Sequence, residues 1–299
     1  MTTTTAAGTP DADKAAQRAD WSEQARAWSA HLGVIERQWG PVSDGLLELA
    51  RVATGDRVLD LASGAGDPAL AAAARVGPTG CVIATDLSPD MLAFAAQRVA
   101  AAGLGNVEVH EMDAEEIDLP DESVDVVLCR LGLMFLPDPA RALAGVRRVL
   151  VPGGRFAAAI PWRPEDQAMP RLVGTMLDAI GLPRPPPAAP GRPGVFSLAD
   201  AGFVRAALER SGLGGIRIVP YTVTHDYRSP DEWVDFVLAL NVQLRRRLAG
   251  LPHERVREGR RAAVEAASAY RQADGHVRFP GHGYYAIATR PAGTRPAGT

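Results

Sequence analysis

Three aspartates stand at the ends of successive apolar runs: Asp60 in RVLDLA, Asp86 in CVIATD and Asp113 in NVEVHEMD. Between the first two lies the small-residue turn Ala62-Ser63-Gly64-Ala65-Gly66, which runs into the alanine-rich DPALAAAARV. Gly64 and Gly66 open a G-x-G-x-x-A pattern, in which missing side chains let a nucleotide-like ligand approach the backbone. An acid about 20 residues beyond such a turn can accept hydrogen bonds from ribose hydroxyls, and Asp86 stands there. Taken alone the turn also fits a nicotinamide dinucleotide, but Asp60 would then face a pyrophosphate and repel it. A row of carboxylates instead suits a ligand that is cationic at one end and offers ribose hydroxyls and an exocyclic amine as donors.

The segments that must position these groups alternate. RVLDLA, CVIATD, NVEVHEMD, VDVVLCR and RFAAAIPW have strand character; Asp67–Val76, Pro89–Ala102 and Pro139–Leu150 have helical spacing between them, with Ser88 capping and Pro89 at a first helical position. Alternation of this kind predicts a parallel sheet covered on both faces, with ligands at the carboxyl ends of its strands. Helical spacing over Lys14–Trp39 and Val42–Val52 precedes the turn, Trp21 and Trp28 lying seven apart. After Trp162 come a helix over Asp166–Ile180, the proline-rich LPRPPPAAPGRPG, a helix over Ser197–Ser211 capped by Ser197, a strand through IRIVPYTVTHDY, an arginine-rich helical region from Pro230 to Gln272 and a last strand near Gly283–Arg290.

The expected organisation is a disordered 1–13, helices over 14–53 that cover the site, a ligand-binding core over 54–162, an acceptor-binding elaboration over 163–275 that includes a core helix and strand at 197–224, a final strand over 276–290 and a disordered 291–299. The fold class is α/β, a Rossmann-like doubly wound, mostly parallel seven-stranded sheet with an antiparallel last strand, plus N-terminal helices and a helical cap. A net charge of −3 offers no global attraction to nucleic acid or to an anionic membrane. Cys81 and Cys129 sit singly in apolar runs, without metal or redox spacing, and read as buried thiols. The chain has neither an apolar run of about 18 residues nor a signal sequence, so a cytoplasmic location is expected. Lys14 is the sole lysine.

S-adenosylmethionine has the required ligand chemistry, and Val58 to Trp162 resembles the core of class I S-adenosylmethionine-dependent methyltransferases of the small-molecule, ubiquinone/menaquinone-like type. The resemblance rests on VLDLASGAGDPAL, ATDLSPDMLAFA, EMDAEEIDLPDESVDVVLCRLGLMFLPDP and RRVLVPGGRFAAAIPW, in order and at family spacing. It implies that Asp86 binds both ribose hydroxyls, that Gly64 and Gly66 admit the methionine moiety, and that Asp60, with the backbone near Ala62 and Cys129, meets the α-ammonium. It further implies that Asp113 takes the adenine amine and Ala114 N–H a ring nitrogen, while Leu87 and Met91 cover the apolar faces. Ala62 stands where the family commonly has glycine, which is tolerable if φ there is negative.

Where small-molecule relatives often carry histidines after the fourth strand, this chain has Met134 and Phe135, so the usual local base is missing. His31, and His225 or Asp226, are the candidate bases outside the core. Trp28, Phe135 and Trp162 are the favoured walls of an apolar acceptor pocket, with Trp39, Phe196, Tyr227, Trp233 and Phe236 serving either pocket or core. The arginines at 245–247, 255, 257, 260 and 261 read as a solvated helix face more readily than as a site for a phosphorylated or carrier-bound acceptor. The expected activity is methyl transfer from S-adenosylmethionine, with S-adenosylhomocysteine as product, to a small, largely apolar metabolite, oxygen ahead of nitrogen or carbon, in specialised-metabolite biosynthesis. No metal, nucleic acid or membrane is expected, and a homodimer is compatible. The alternatives are a non-methylating reaction such as cyclisation or elimination on the same fold, and an NAD(P)-dependent oxidoreductase.

Overall fold

The computed structural model describes residues 10–185 and 192–292. Seven strands form one sheet: β1 (Arg57–Leu61), β2 (Cys81–Asp86), β3 (Val107–Glu111), β4 (Val124–Arg130), β5 (Leu150–Pro161), β6 (Gly214–Tyr227) and β7 (Val277–Thr289). Their order is β3-β2-β1-β4-β5-β7-β6, with β7 antiparallel to both of its neighbours and the pairings from β3 to β5 parallel. The order reverses between β1 and β4, and in such sheets the crevice beyond the carboxyl ends of these two strands is the ligand position.

The strands form because their apolar residues are buried on both faces. Val58, Val126 and Ala157 pack toward α2 (Leu32–Leu49) and α3 (Asp67–Val76); Leu59, Val127 and Phe156 pack toward α5 (Pro139–Val149) and α7 (Ala201–Arg210). A separate apolar cluster joins Ile35 of α2 to α6 (Ala168–Ala179), α8 (Pro230–Leu240), α9 (Val242–Ala249) and α10 (His253–Ser268), with Trp233 and Phe279 fully enclosed. This cap stands beside the sheet and shares β6 and β7 with it. Among the described residues no helix is long and apolar enough to cross a membrane.

Several boundaries differ from the sequence reading. The first helix, α1, spans Pro10–Ala30, so residues 10–13 are helical; 1–9, 186–191 and 293–299 lie outside the described residues. The break between the N-terminal helices falls at His31, and Pro41 sits inside α2. One lost backbone bond there is outweighed by the face that buries Val34, Ile35, Val42, Leu46 and Leu47. The α7 cap is Asp200, whose carboxylate accepts the Gly202 and Phe203 N–H groups; Ser197 instead donates to the Met134 carbonyl at 2.7 Å. The arginine-rich region is three helices, and Pro252 precedes the last of them.

Candidate functional site

At the carboxyl end of β1 the chain turns through Ala62, Ser63, Gly64, Ala65 and Gly66 into α3. Ala62 has φ of +52°, so the expectation of a negative φ is wrong: its methyl occupies a left-handed conformation that ordinarily favours glycine. Space is also short, because a β-carbon placed on Gly132, after β4, would lie 2.5 Å from the Ala62 β-carbon and 3.1 Å from Cys129 Sγ. Ala62→Gly should therefore raise stability by about 1 kcal/mol, the left-handed penalty less part of the glycine entropy, in urea denaturation. No gain would mean that the Ala62–Gly132 contact offsets the strain.

The two turn glycines do different work. Gly64 has φ of +54° and open space where a side chain would be, the condition for backbone approach to a ligand. At Gly66, φ +85°, an added β-carbon would meet Leu70 at 2.9 Å and Ala95 at 3.3 Å, so this glycine lets α3 pack on α4 (Pro89–Ala101).

Asp86 ties the turn to the next element. One carboxylate oxygen accepts the Gly64 N–H and the other the Ser88 N–H, both at 2.9 Å. Burial raises its pKa, and the N–H groups of Ser88, Gly64 and Leu87 work against that rise. Ser88 Oγ in turn accepts the Met91 N–H and caps α4; Met91 is buried and Leu87 half-buried beside it.

Asp60 is fully buried, and neither carboxylate oxygen has a well-formed hydrogen-bond partner, although the Ala69 N–H of α3 faces it. Desolvation pushes its pKa up to about 8; Arg130 opposes the rise while Asp67 and Asp86 add to it. Ser63 Oγ, in the same turn, is likewise buried without a partner. An unpaired buried polar group costs about 1–3 kcal/mol, so these oxygens match a donor-bearing ligand group such as an ammonium. Cys129, beside them on β4, is pushed up to about 12 by burial and then by the Asp60 charge, which keeps it a neutral thiol.

The turn is braced by a partly buried ion-pair network that the sequence did not single out. Arg98 donates to the Ala65 carbonyl at 2.6 Å and to Asp67 at 2.7 Å, and Arg130 donates to the other Asp67 oxygen at 2.6 Å. Burial opposes the Asp67 charge, but Arg130 and Arg98 hold its pKa below the usual value. The sequence signal available was two arginines on apolar segments.

Beyond β3, Asp113 is half-buried and Ala114 buried. One Asp113 oxygen accepts the Glu115 N–H at 2.8 Å, and the other pairs with Lys14 of α1 at 2.6 Å. Lys14 also reaches Glu115 at 2.8 Å; partial burial works against its charge, yet the two carboxylates raise its pKa overall. Helix α1 thus lies across the ends of β2 and β3, which sequence spacing alone could not reveal.

The candidate acceptor walls are brought together in part. Trp21 stands edge-on to both Trp28, with centroids 5.9 Å apart, and Phe135, at 5.1 Å. Trp28 and Phe135 therefore share one aromatic wall through Trp21, and Trp28 Nε1 is buried without a partner. Trp162 instead packs edge-on against Tyr284 on β7. His31 occupies the α1–α2 junction, half-buried and edge-on to Phe236. His225 is buried in the protein core between Trp39 and Phe279, with Nδ1 3.0 Å from Gln38 Oε1 and Nε2 against the Gly281 backbone. Burial lowers its pKa to about 4. On this enclosure His225 is expected to act as a core residue, so His225→Ala should lower the melting temperature while any turnover per folded molecule stays within twofold of wild type. A selective loss of turnover that outruns the loss of folded protein would restore it as a base. The arginine run is mostly spent on the protein itself: Arg245 and Arg246 pair with Glu23 and Asp20 of α1, and Arg260 with Asp231 and Asp235.

Residues 58–154 match the model of a methyltransferase domain. The chain is 37% identical over 144 residues to the ubiquinone/menaquinone biosynthesis C-methyltransferase UbiE of Pseudomonas fluorescens (strain SBW25), covering 48% of this chain and 55% of that protein. It is 37% identical over 121 residues to the aklanonic acid methyltransferase DauC of Streptomyces sp. (strain C5), covering 40% of this chain and 55% of that one. The chain thus spans about half the length of the curated relatives it matches. Among solved structures, YcgJ of Bacillus subtilis superposes with a TM-score of 0.56 at 20% identity, over 85% of this chain and all of that one. The cyclase SpnF superposes with a TM-score of 0.51 at 22% identity, over 85% and 81%. At these identities the likeness is one of fold.

Proposed function

We propose, on the premise that this chain carries a class I S-adenosylmethionine-dependent methyltransferase core, that it transfers a methyl group to a small, largely apolar metabolite bound between α1 and the end of β4. The observation that carries the cofactor assignment is the pair of orphaned polar residues, Asp60 and Ser63, beside open space at Gly64. These residues fit the amino-acid end of the cofactor; Asp86 fits its ribose, and Asp113 with Ala114 its adenine. When bound, S-adenosylmethionine supplies a methyl group already activated by the sulfonium. The chain's own task is then to hold the acceptor in line and keep water out, which the Trp21–Trp28–Phe135 wall is suited to do.

The acceptor reading follows from what surrounds that wall. Met134 and Phe135 supply no base beside the wall, His225 is enclosed, and the half-buried His31 stands edge-on to Phe236 of α8. An acceptor that arrives ionised needs none, which favours an acidic hydroxyl, such as a phenol or an enol, and hence O-methylation. The likeness to a C-methyltransferase of ubiquinone/menaquinone biosynthesis and to an aklanonic acid methyltransferase supports a small metabolite as acceptor, with carbon as the alternative acceptor atom. The test is mass-spectrometric detection of methylated product and S-adenosylhomocysteine across a panel of hydroxylated aromatics graded by acidity. Equimolar formation of both, favouring the more acidic members, is expected. Conversion of an acceptor with no S-adenosylhomocysteine formed would instead support the cyclisation or elimination reading, which the lack of a base also favours.

A further inference from the structure

We propose that α1 is an ion-paired strap closed over the cofactor site and that Lys14 is its latch, so that cofactor enters and leaves only when the Lys14–Asp113 contact opens. The inference rests on the cofactor assignment above. The apolar hold on α1 lies toward its far end, where Gln24 and Ala25 are buried and Trp21 and Trp28 are half-buried against Phe135 and the cap. Polar fastenings hold the helix on two sides. Toward the core, Lys14 pairs with Asp113 and Glu115, Arg18 pairs with Glu111, and Ser22 Oγ lies 3.0 Å from Ser88 Oγ. Toward the cap, Asp20 and Glu23 pair with Arg246 and Arg245, and Asp20 also accepts from Gln243 at 2.8 Å.

The fastenings are unequal. Arg18, Glu111, Glu23, Arg245 and Arg246 are all at least 32% exposed, and such pairs are individually weak. Lys14 is 15% exposed, and the Glu115 side chain it grips is 2% exposed. Glu115 is itself anchored, since its other oxygen accepts the Asp138 N–H that opens α5. The Asp113 oxygen held by Lys14 is the one left free by the Glu115 N–H, and so the one an adenine amine would use. Adenine cannot pass to Asp113 while the ammonium and its helix stand over it. The Lys14 stem must swing or the helix must lift, and either motion breaks the Lys14–Asp113 contact first.

Stopped-flow exchange of S-adenosylhomocysteine tests this, with Trp21 and Trp28 on the same helix as the fluorescent reporters. Lys14→Met should raise the association and dissociation rates at least fivefold each, and Glu115→Gln should shift both in the same direction. Trypsin should cut after Arg18 and Arg26 faster in Lys14→Met than in wild type, at equal melting temperature, and bound S-adenosylhomocysteine should slow the cut in wild type. Rates within twofold of wild type in both variants would overturn the latch, as would slower association in Lys14→Met. Wild-type protein that binds no S-adenosylhomocysteine would fail the cofactor assignment and the gate with it; binding with unaltered exchange rates fails the gate alone.

Discussion

Asp86→Ala should weaken S-adenosylhomocysteine binding by at least tenfold, the factor that corresponds to about 1.4 kcal/mol. A hydrogen bond to a charged acceptor contributes about 1.5–3 kcal/mol, and the ribose offers two donors to this carboxylate. The structure adds a second reason. Asp86 already accepts the Gly64 and Ser88 N–H groups, so its removal unties the glycine turn from the entry to α4 at the same time as it removes the proposed ribose acceptor. Asp86→Asn should be no milder, because its amide NH₂ must face one of those two backbone donors, donor against donor. Isothermal titration calorimetry on both variants, with circular dichroism to confirm folding, measures the effect. Affinity for S-adenosylhomocysteine that survives Asp86→Ala unchanged would overturn the cofactor assignment.

The core was legible in the sequence because each of its elements declares itself locally. Apolar runs such as VLDLA and VDVVLCR are enclosed on both faces and read as parallel strands, and Ser88-Pro89 and Asp138-Pro139 mark helix starts by their own chemistry. What the sequence could not convey is distance. Lys14 lies far along the chain from Asp113 and Glu115, and α1 has no strong apolar stripe to announce which surface it covers. The Arg98–Asp67–Arg130 brace is hidden for the same reason, since three charged residues on three elements have no common spacing. Ala62 is a different kind of miss. An alanine in place of glycine suggests an ordinary backbone angle, whereas the turn at the end of β1 has Ala62 at φ +52°. The burial of His225 was hidden because a histidine in an alternating strand points either to solvent or to core, and the residue its ring meets there, Gln38, sits on α2.

The pH dependence of cofactor affinity should follow Asp60. In the free protein this carboxyl is buried with a pKa near 8, facing Arg130 and Cys129 on β4, Asp67 on α3 and Asp86 on β2. At pH 6 it is therefore neutral, while the α-ammonium of S-adenosylhomocysteine is charged. Pairing the two favours the ionised carboxylate, so binding releases a proton, and affinity must rise with pH by about tenfold per unit until Asp60 ionises unaided. The ligand's α-ammonium stands beside its own carboxylate and keeps its proton well above the range of a chain terminus, so the rise should level off once Asp60 is ionised. The expected profile is a rise that reaches its plateau near pH 8, with affinity at pH 6 lower by up to about 100-fold. An ordinary carboxylate would already be ionised at pH 6 and would leave the profile flat up to pH 7. Asp60→Asn should bind more weakly at pH 8 and lose the rising limb. 5′-Methylthioadenosine, which lacks the amino-acid end, should bind wild type with no such limb. A steep limb for 5′-methylthioadenosine as well would move the titrating group away from the ammonium, to the ribose end and Asp86, the other buried carboxylate whose pKa burial raises.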